Sequence, residues 1–527
     1  MDGSRPIAEI APVEREGVRV EVVAPREASG EEPESVDATG AVKLAANRQF
    51  TMLVTLAAYC GVVLAGVTHH EPWADEAQAW VLTRDLSYRY LLFHQLAYEG
   101  HPPLWPTILW LANHWFHLPY QSMGWIGGAC AIAGCWFFCR YSPFPLWMRV
   151  LFPFTYFMGF QYAIVARDYV LLPLFSFAAA HFFAEAEDRP WRFVAATSGL
   201  MLLCAPGAMM AMGFMAARIC YSLRSWDRLP PHARKRVVAA LIVFGLVALF
   251  VARVNWPAHD GTFARLDRPV NNDANFGWGI LPRDISIAFF GSPIPSAAFL
   301  LIAGVWCAYR RRFLAFFLPL GLVLGFFVKV YGYLWHCGAL TMVAVAALWI
   351  AWNSPPVPMA KLQRAMNVLL LAAVAALFAV QIYWTARTLA MDYSRPYSGS
   401  ADAANFLRSA GADRSSTCGF GFHAVALQPY FPKGLFMNWP ESFWRHEQGN
   451  HNDANCKSRV EWVVAPICCT FDMAKQSFWG NDRGLRAEGY FPVHVSRGAL
   501  FFEGREAEPT DYVIYRDANQ ASVTALP

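Results

Sequence analysis

Charge is what this chain has least of: Asp, Glu, Lys and Arg make up 16% of its 527 residues, against about 25% in soluble domains. With 56% hydrophobic residues, that scarcity excludes an ordinary soluble protein and predicts a polytopic α-helical membrane protein. The formal net charge of +4 comes without a clustered basic face, so no nucleic-acid partner is expected. Neither a CxxC pair nor an HExxH motif occurs, which removes two common signatures of redox and zinc sites. No internal repeat is visible. Residues 1–48 lack the basic start and early apolar core of a secretory leader; rich in Glu, Pro and Ala, they read as a disordered cytoplasmic tail.

Apolar runs approaching the roughly 20 residues that cross a bilayer recur along the chain. About eleven are expected, near 51–67, 102–118, 123–138, 146–163, 169–183, 195–220, 237–251, 285–309, 313–330, 334–352 and 368–385. They define a membrane domain over 49–397, interrupted by polar loops at 69–101 and 255–284. From 398 onward the composition turns mixed, predicting a small exported α/β domain over 398–527, with a helix at 401–410 and strands at 462–467 and 512–515. Basic residues near run ends set orientation. Lys43, Arg48, the stretch from Arg218 to Arg236, Arg310-Arg311-Arg312, Lys361 and Arg364 all fall on one side, taken as cytoplasmic. Both polar loops and the C-terminal domain then face outward. Of twelve cysteines, eight sit in or beside apolar runs as packing residues. Cys418, Cys456, Cys468 and Cys469 lie in the exported segment, which can hold one or two disulfides of unassigned pairing.

The polar loop 69–101 carries the densest chemistry. Trp73-Ala74-Asp75-Glu76-Ala77-Gln78-Ala79-Trp80 places two adjacent carboxylates in a short interfacial helix, with Ser87 capping a second one. Their side chains diverge, so one can act as general base while the other orients a neighbour; the plainer alternative is a helix start that complements the dipole. Glu99-Gly100-His101-Pro102-Pro103-Leu104-Trp105 follows, its prolines suiting a helix's first turn. His101 then lies at the depth of Asp75, as a substrate ligand or an interfacial hydrogen-bonding residue. Lys329, Tyr331 and His336 flank an aromatic turn between two runs on the same side, where they can hold a phosphate or serve as interfacial anchors. Arg265, Arg268 and Arg283 in the 255–284 loop are further cations on that face. Arg167 and Asp168 join two runs on the other side by this count and read as structural.

The Asp-Glu pair in the first exported loop, the His-Pro-Pro-Leu start of the next run, the Ala-Arg-x-Tyr turn at Ala166 and the soluble segment after many runs together resemble the GT-C fold membrane glycosyltransferases. The likeness is to the protein mannosyltransferase and aminoarabinose transferase type. It rests chiefly on 71–105 and 163–172. It implies a polyprenyl-phosphate-linked sugar donor, a lipid, glycan or protein acceptor, Asp75 as catalytic base and Glu76 in support. It also implies a multi-pass protein of a bacterial inner membrane with its site on the periplasmic or extracellular side. Displacement at the anomeric carbon develops oxocarbenium-like charge. No cofactor is required, and no divalent metal is indicated, if Lys329, His336 or the loop arginines neutralise the departing phosphate. Two rivals remain: a lipid or sugar transporter, which more often shows repeated halves, and a non-catalytic envelope-glycan assembly protein.

Overall fold

The computed structural model describes residues 38–261, 277–354, 360–447, 456, 459–467 and 482–519. The described residues from Phe50 onward belong to one compact unit. Long apolar runs free of turn residues become helices, because a helix satisfies every interior backbone group by itself. Five helices among the described residues are long and apolar enough to cross a membrane. A sixth results if Trp278–Ala288 and Pro293–Tyr309, bent by 79°, count as one span.

Helix α1 (Ala38–His69) leads to α2 (Ala74–Asp85), α3 (Tyr88–Tyr90), α4 (Leu96–Glu99) and α5 (Leu104–His114). The expected run at 102–118 does not traverse the bundle. It ends after α5 because His117 is left-handed at φ 49° and Pro119 cannot continue a helix. Its Trp110 indole donates to Leu86 O at 3.1 Å and its His114 ring meets Thr83 O at 3.0 Å, which lays it against α2. The chain then returns along α6 (Ser122–Tyr141), antiparallel to α1, with Gly124 over Val67 and Gly128 over Val63.

Helix α7 (Leu146–Leu151) begins the climb back to the Asp75 end, and α8 (Leu172–Phe182) descends beside α6. The expected single run 195–220 is two antiparallel helices, α9 (Pro190–Met201) and α10 (Ala205–Ser225). The turn between them has a local cause: Cys204 Sγ accepts from Gly207 N–H at 3.3 Å, and Pro206 suits a first turn that lacks amide partners. One expected traverse is therefore lost at 102–118 and one gained at 195–220. Everything between them is inverted relative to expectation, and everything outside them is not.

Helices α11 (Pro231–Asn255), α12 (Leu281–Ala288), α13 (Pro293–Tyr309), α14 (Phe313–Lys329), α15 (Gly338–Trp352) and α16 (Ala360–Ser394) complete the bundle. The loop expected at 255–284 is helical from Trp278 onward. Helix α17 (Ser400–Ser409) opens the C-terminal region, followed by β1 (Thr417–Gly419), β2 (Trp462–Ile467), α18 (Asp482–Ala487), β3 (Tyr490–Ser496), β4 (Ala499–Phe502), β5 (Arg505–Pro509) and β6 (Asp511–Asp517). A four-stranded sheet has the order β1-β2-β6-β3, with β1 parallel to β2 and the other pairs antiparallel; β4 and β5 form a separate hairpin. A disulfide joins Cys418 to Cys456, while Cys468 and Cys469 lie outside the described residues.

This region is fastened to α2 along its length. Gln78 donates to Trp444 O and accepts from Trp444 N–H, both at 2.9 Å, and Arg84 donates to Gln428 O at 3.3 Å. Glu71 accepts from Ser400 Oγ at 3.0 Å and from Ala401 N–H at 2.5 Å, capping α17 from outside it.

Helices α10 and α14 approach closely, so that a Cβ on Gly213 would lie 2.3 Å from the Pro319 Cα. Gly213→Ala should therefore destabilise the purified protein by about 1–3 kcal/mol, the range for overpacking. Gly245→Ala, with nothing within 4 Å, should not. Equal unfolding midpoints for the two variants in detergent would contradict this packing.

Candidate functional site

Helix α2 starts at a tryptophan, which has no oxygen with which to cap it. The capping group comes from within: Glu76, three residues on, accepts from Trp73 N–H at 3.2 Å through Oε2. The same oxygen meets His70 Nε2 at 3.1 Å, and Oε1 accepts from Ala166 N–H at 2.7 Å. Glu76 is fully buried, so both its oxygens are committed to holding the loop. The other nitrogen of His70 lies 3.3 Å from Asp392 Oδ2 at the end of α16. Burial opposes charge on this imidazole, but Asp392 and then Glu76 outweigh it and raise its pKa to about 10. His70 is thus a cation between two carboxylates, joining the ends of α1, α2 and α16.

Asp75 points elsewhere. Its Oδ2 lies 2.8 Å from Arg167 Nη1, which corrects the placement of Arg167 and Asp168 on the opposite side. The shifted traverse count brings this turn to the Asp75 end. The guanidinium lies among the rings of Trp335, Tyr169 and Trp73, at 5.1, 5.6 and 5.9 Å, a setting that favours a weakly hydrated planar cation. Its Nη1 is buried and makes no aligned hydrogen bond among the described residues. Asp168, next in sequence, receives His101 Nδ1 at 2.9 Å. Two consecutive residues therefore hold the two groups that the loop motifs singled out.

These groups differ in how open they are. His101 keeps 36% of its side chain open and Asp75 keeps 19%, whereas Arg167 and Asp168 are nearly closed off. Burial pushes the Asp75 carboxyl up, against the pull of Arg167, His101 and His423. Burial works against charge on His101, yet Asp168 raises it overall. Glu99 is pushed up to about 7 by burial, although Gln95 donates to it at 2.8 Å and Gln78 at 3.2 Å.

The 330–336 turn meets the same groups, with Trp335 against Arg167 and Trp73. Burial and then Asp75 push the Tyr331 hydroxyl up, and its ring stacks on Tyr333 at 6.1 Å and meets His336 at 5.1 Å. The Tyr333 hydroxyl donates to Glu508 on β5. His336 is buried and its Nδ1 accepts from Tyr333 N–H at 3.1 Å. That bond fixes the neutral Nε2–H tautomer and corrects the expectation of a cation there. Lys329 lies half-buried in the last turn of α14. Arg283 is held by Asp284 at 2.8 Å and by Gly332 O at 2.9 Å. Arg265 and Arg268 lie outside the described residues. Among the described residues, no group of three His, Cys, Asp or Glu is placed to hold a metal ion.

No family model, no curated protein and no solved structure matches the chain.

His70, Arg167, Asp168 and Glu508 were not among the site residues expected from sequence. For Arg167 and Asp168 the available signal was the presence of two charges between apolar runs, which by itself marks a functional position.

Because the His70 pKa is raised on folding, its contribution to stability is complete below about pH 6.5 and is lost as pH rises through about 10. His70→Gln should cost about 3–5 kcal/mol, as expected for breaking a buried ion pair. In melting curves the gap between parent and variant should be widest near pH 6 and shrink toward pH 10. A gap that stays constant would refute the charged triad.

Proposed function

We propose that this chain is a GT-C type glycosyltransferase that moves a sugar, with inversion, from a polyprenyl-phosphate donor to an acceptor hydroxyl at the Asp75 end of the bundle. The observation that carries this reading is the Asp75–Arg167 pair: a base made more basic by burial, 2.8 Å from a buried cation. Glycosyl transfer from a lipid phosphate needs those two groups, one for the acceptor proton and one for the departing charge.

In this reading the donor phosphate docks on Arg167, whose planar fork suits a phosphate. Docking draws the guanidinium away from Asp75 and leaves that carboxylate more basic when the acceptor arrives. The acceptor oxygen attacks the anomeric carbon from the face opposite the phosphate and gives its proton to Asp75. The bond from the anomeric carbon to the phosphate oxygen breaks, and its electron pair leaves with the lipid phosphate. His101, held by Asp168, and the His336 Nε2–H are hydrogen-bond donors to sugar or phosphate, and Lys329 and Tyr331 line the approach. Glu76 takes no part in proton transfer, since both its oxygens are already engaged. Its role is to position Asp75.

The same reading places the chain in a membrane. The traverses are α1, α6, the segment from α7 to Gln161, α8, α9, α10, α11, α13, α14, α15 and α16. The arginine-rich ends then face the cytoplasm, and Asp75 and His101 lie on the exported side.

Asp75→Asn keeps the side chain's size and removes the base, so transfer should fall by about 100- to 10,000-fold, with donor binding little changed. Arg167→Lys keeps charge but loses the fork, and should weaken donor binding by about 10- to 100-fold. Normal turnover by a folded Asp75→Asn protein, followed with a radiolabelled polyprenyl-phosphate sugar, would overturn the assignment.

A further inference from the structure

At the end of the bundle away from Asp75, helices α9, α10 and α11 leave a pocket of about 140 Å³. Its walls are apolar, formed by Phe193, Met215, Val237 and Leu241 among others, and Arg218 enters them. Arg218 is 9% exposed. It pairs with Glu187 and lies 5.6 Å from the Phe183 ring, yet its buried Nε has no hydrogen-bond partner among the described residues. A buried donor left unmatched is costly, and an arriving anion relieves it.

The surroundings say what kind of anion. From Arg218 to Arg236 the sequence carries six cations and one acid. Arg224, Arg228, Lys235 and Arg236 are exposed, and the Arg234 guanidinium covers Trp226, a pocket residue, at 5.7 Å. Directly above this basic rim, α11 presents Ile242, Leu246 and Leu249 outward, each more than half exposed, on a helix apolar enough to cross a membrane. An apolar slot opening beside such a face, with a basic rim at its foot, matches the two ends of one molecule.

We infer that this pocket holds an acyl chain of an anionic phospholipid, whose headgroup phosphate is bound by Arg218 and the rim arginines. A zwitterionic phospholipid fills the slot and presents a phosphate, but its own ammonium cancels that charge and is repelled by the basic rim, and free phosphate meets the rim but not the slot. The site requires the membrane placement proposed above and is independent of the transfer reaction.

The test uses the full-length protein in detergent, titrated with phosphatidylglycerol, phosphatidylcholine or inorganic phosphate, with retained lipid counted by native mass spectrometry. One phosphatidylglycerol should stay bound, about tenfold or more tighter than phosphatidylcholine, and phosphate should not displace it. Arg224→Gln with Arg228→Gln should weaken phosphatidylglycerol by roughly 30-fold. Leu241→Trp, which fills the slot, should abolish retention of both lipids while the unfolding midpoint in lipid-free detergent stays near the parent's. If that variant does not fold, the rim variant decides alone. Equal retention of the two phospholipids, displacement by phosphate, or a rim variant that binds like the parent would overturn the proposal.

Discussion

A carboxylate without solvent contact must be met by donors, and Glu76 is met by three: the amides of Trp73 and Ala166 and the imidazole of His70. These donors come from the helix start, from a turn about ninety residues later and from the end of α1. Satisfying one buried charge therefore fixes where three segments meet. His70 carries the constraint on to Asp392 at the foot of the C-terminal region. Removing one partner from such a set leaves an uncompensated buried charge, which is why its members are worth more together than separately. The position of Asp75 depends on it. Adjacent to Glu76 in the first turn of α2, Asp75 points toward Arg167.

The same arithmetic distributes the roles around Asp75. Arg167 and Asp168 are consecutive, yet one meets Asp75 and the other His101, so a single short turn sets the spacing of an acid and an imidazole from distant parts of the loop. Burial of the shared wall raises the basicity of Asp75 while leaving part of it open. A group with that combination serves proton transfer better than a fully solvated or a fully enclosed one. The 330–336 turn contributes donors and aromatic surface rather than a second strong cation, because the His336 Nδ1 is spent on a backbone amide.

Much of the architecture was legible in the sequence because apolar length and turn residues are local signals. The helical character of the long runs, the short helix beginning beside Asp75 and Glu76, the helix near 401–410 and the strands near 462–467 and 512–515 all follow from them. What escaped was traverse parity. The run at 102–118 reads as a traverse but is stopped by His117 and Pro119, and 195–220 reads as one run but turns at Cys204. These two departures cancel outside 118–195 and invert everything inside, where Arg167 and Asp168 lie. The partners of Asp75 and His101 were thus hidden by a counting problem and not by weak chemistry. His70 escaped for a different reason: nothing near it in sequence reveals that Asp392, more than three hundred residues away, completes its environment.

The most direct test of the account is the fate of the donor. Purified protein in detergent would be incubated with a panel of labelled polyprenyl-phosphate sugars and candidate acceptor hydroxyls, and the products separated as lipid phosphate, free sugar and glycosylated acceptor. The account predicts that at least one donor releases lipid phosphate in step with a glycosylated acceptor of inverted anomeric configuration. Movement of an intact lipid-linked sugar across reconstituted vesicles, with no lipid phosphate released from any donor, would contradict it and identify a transporter.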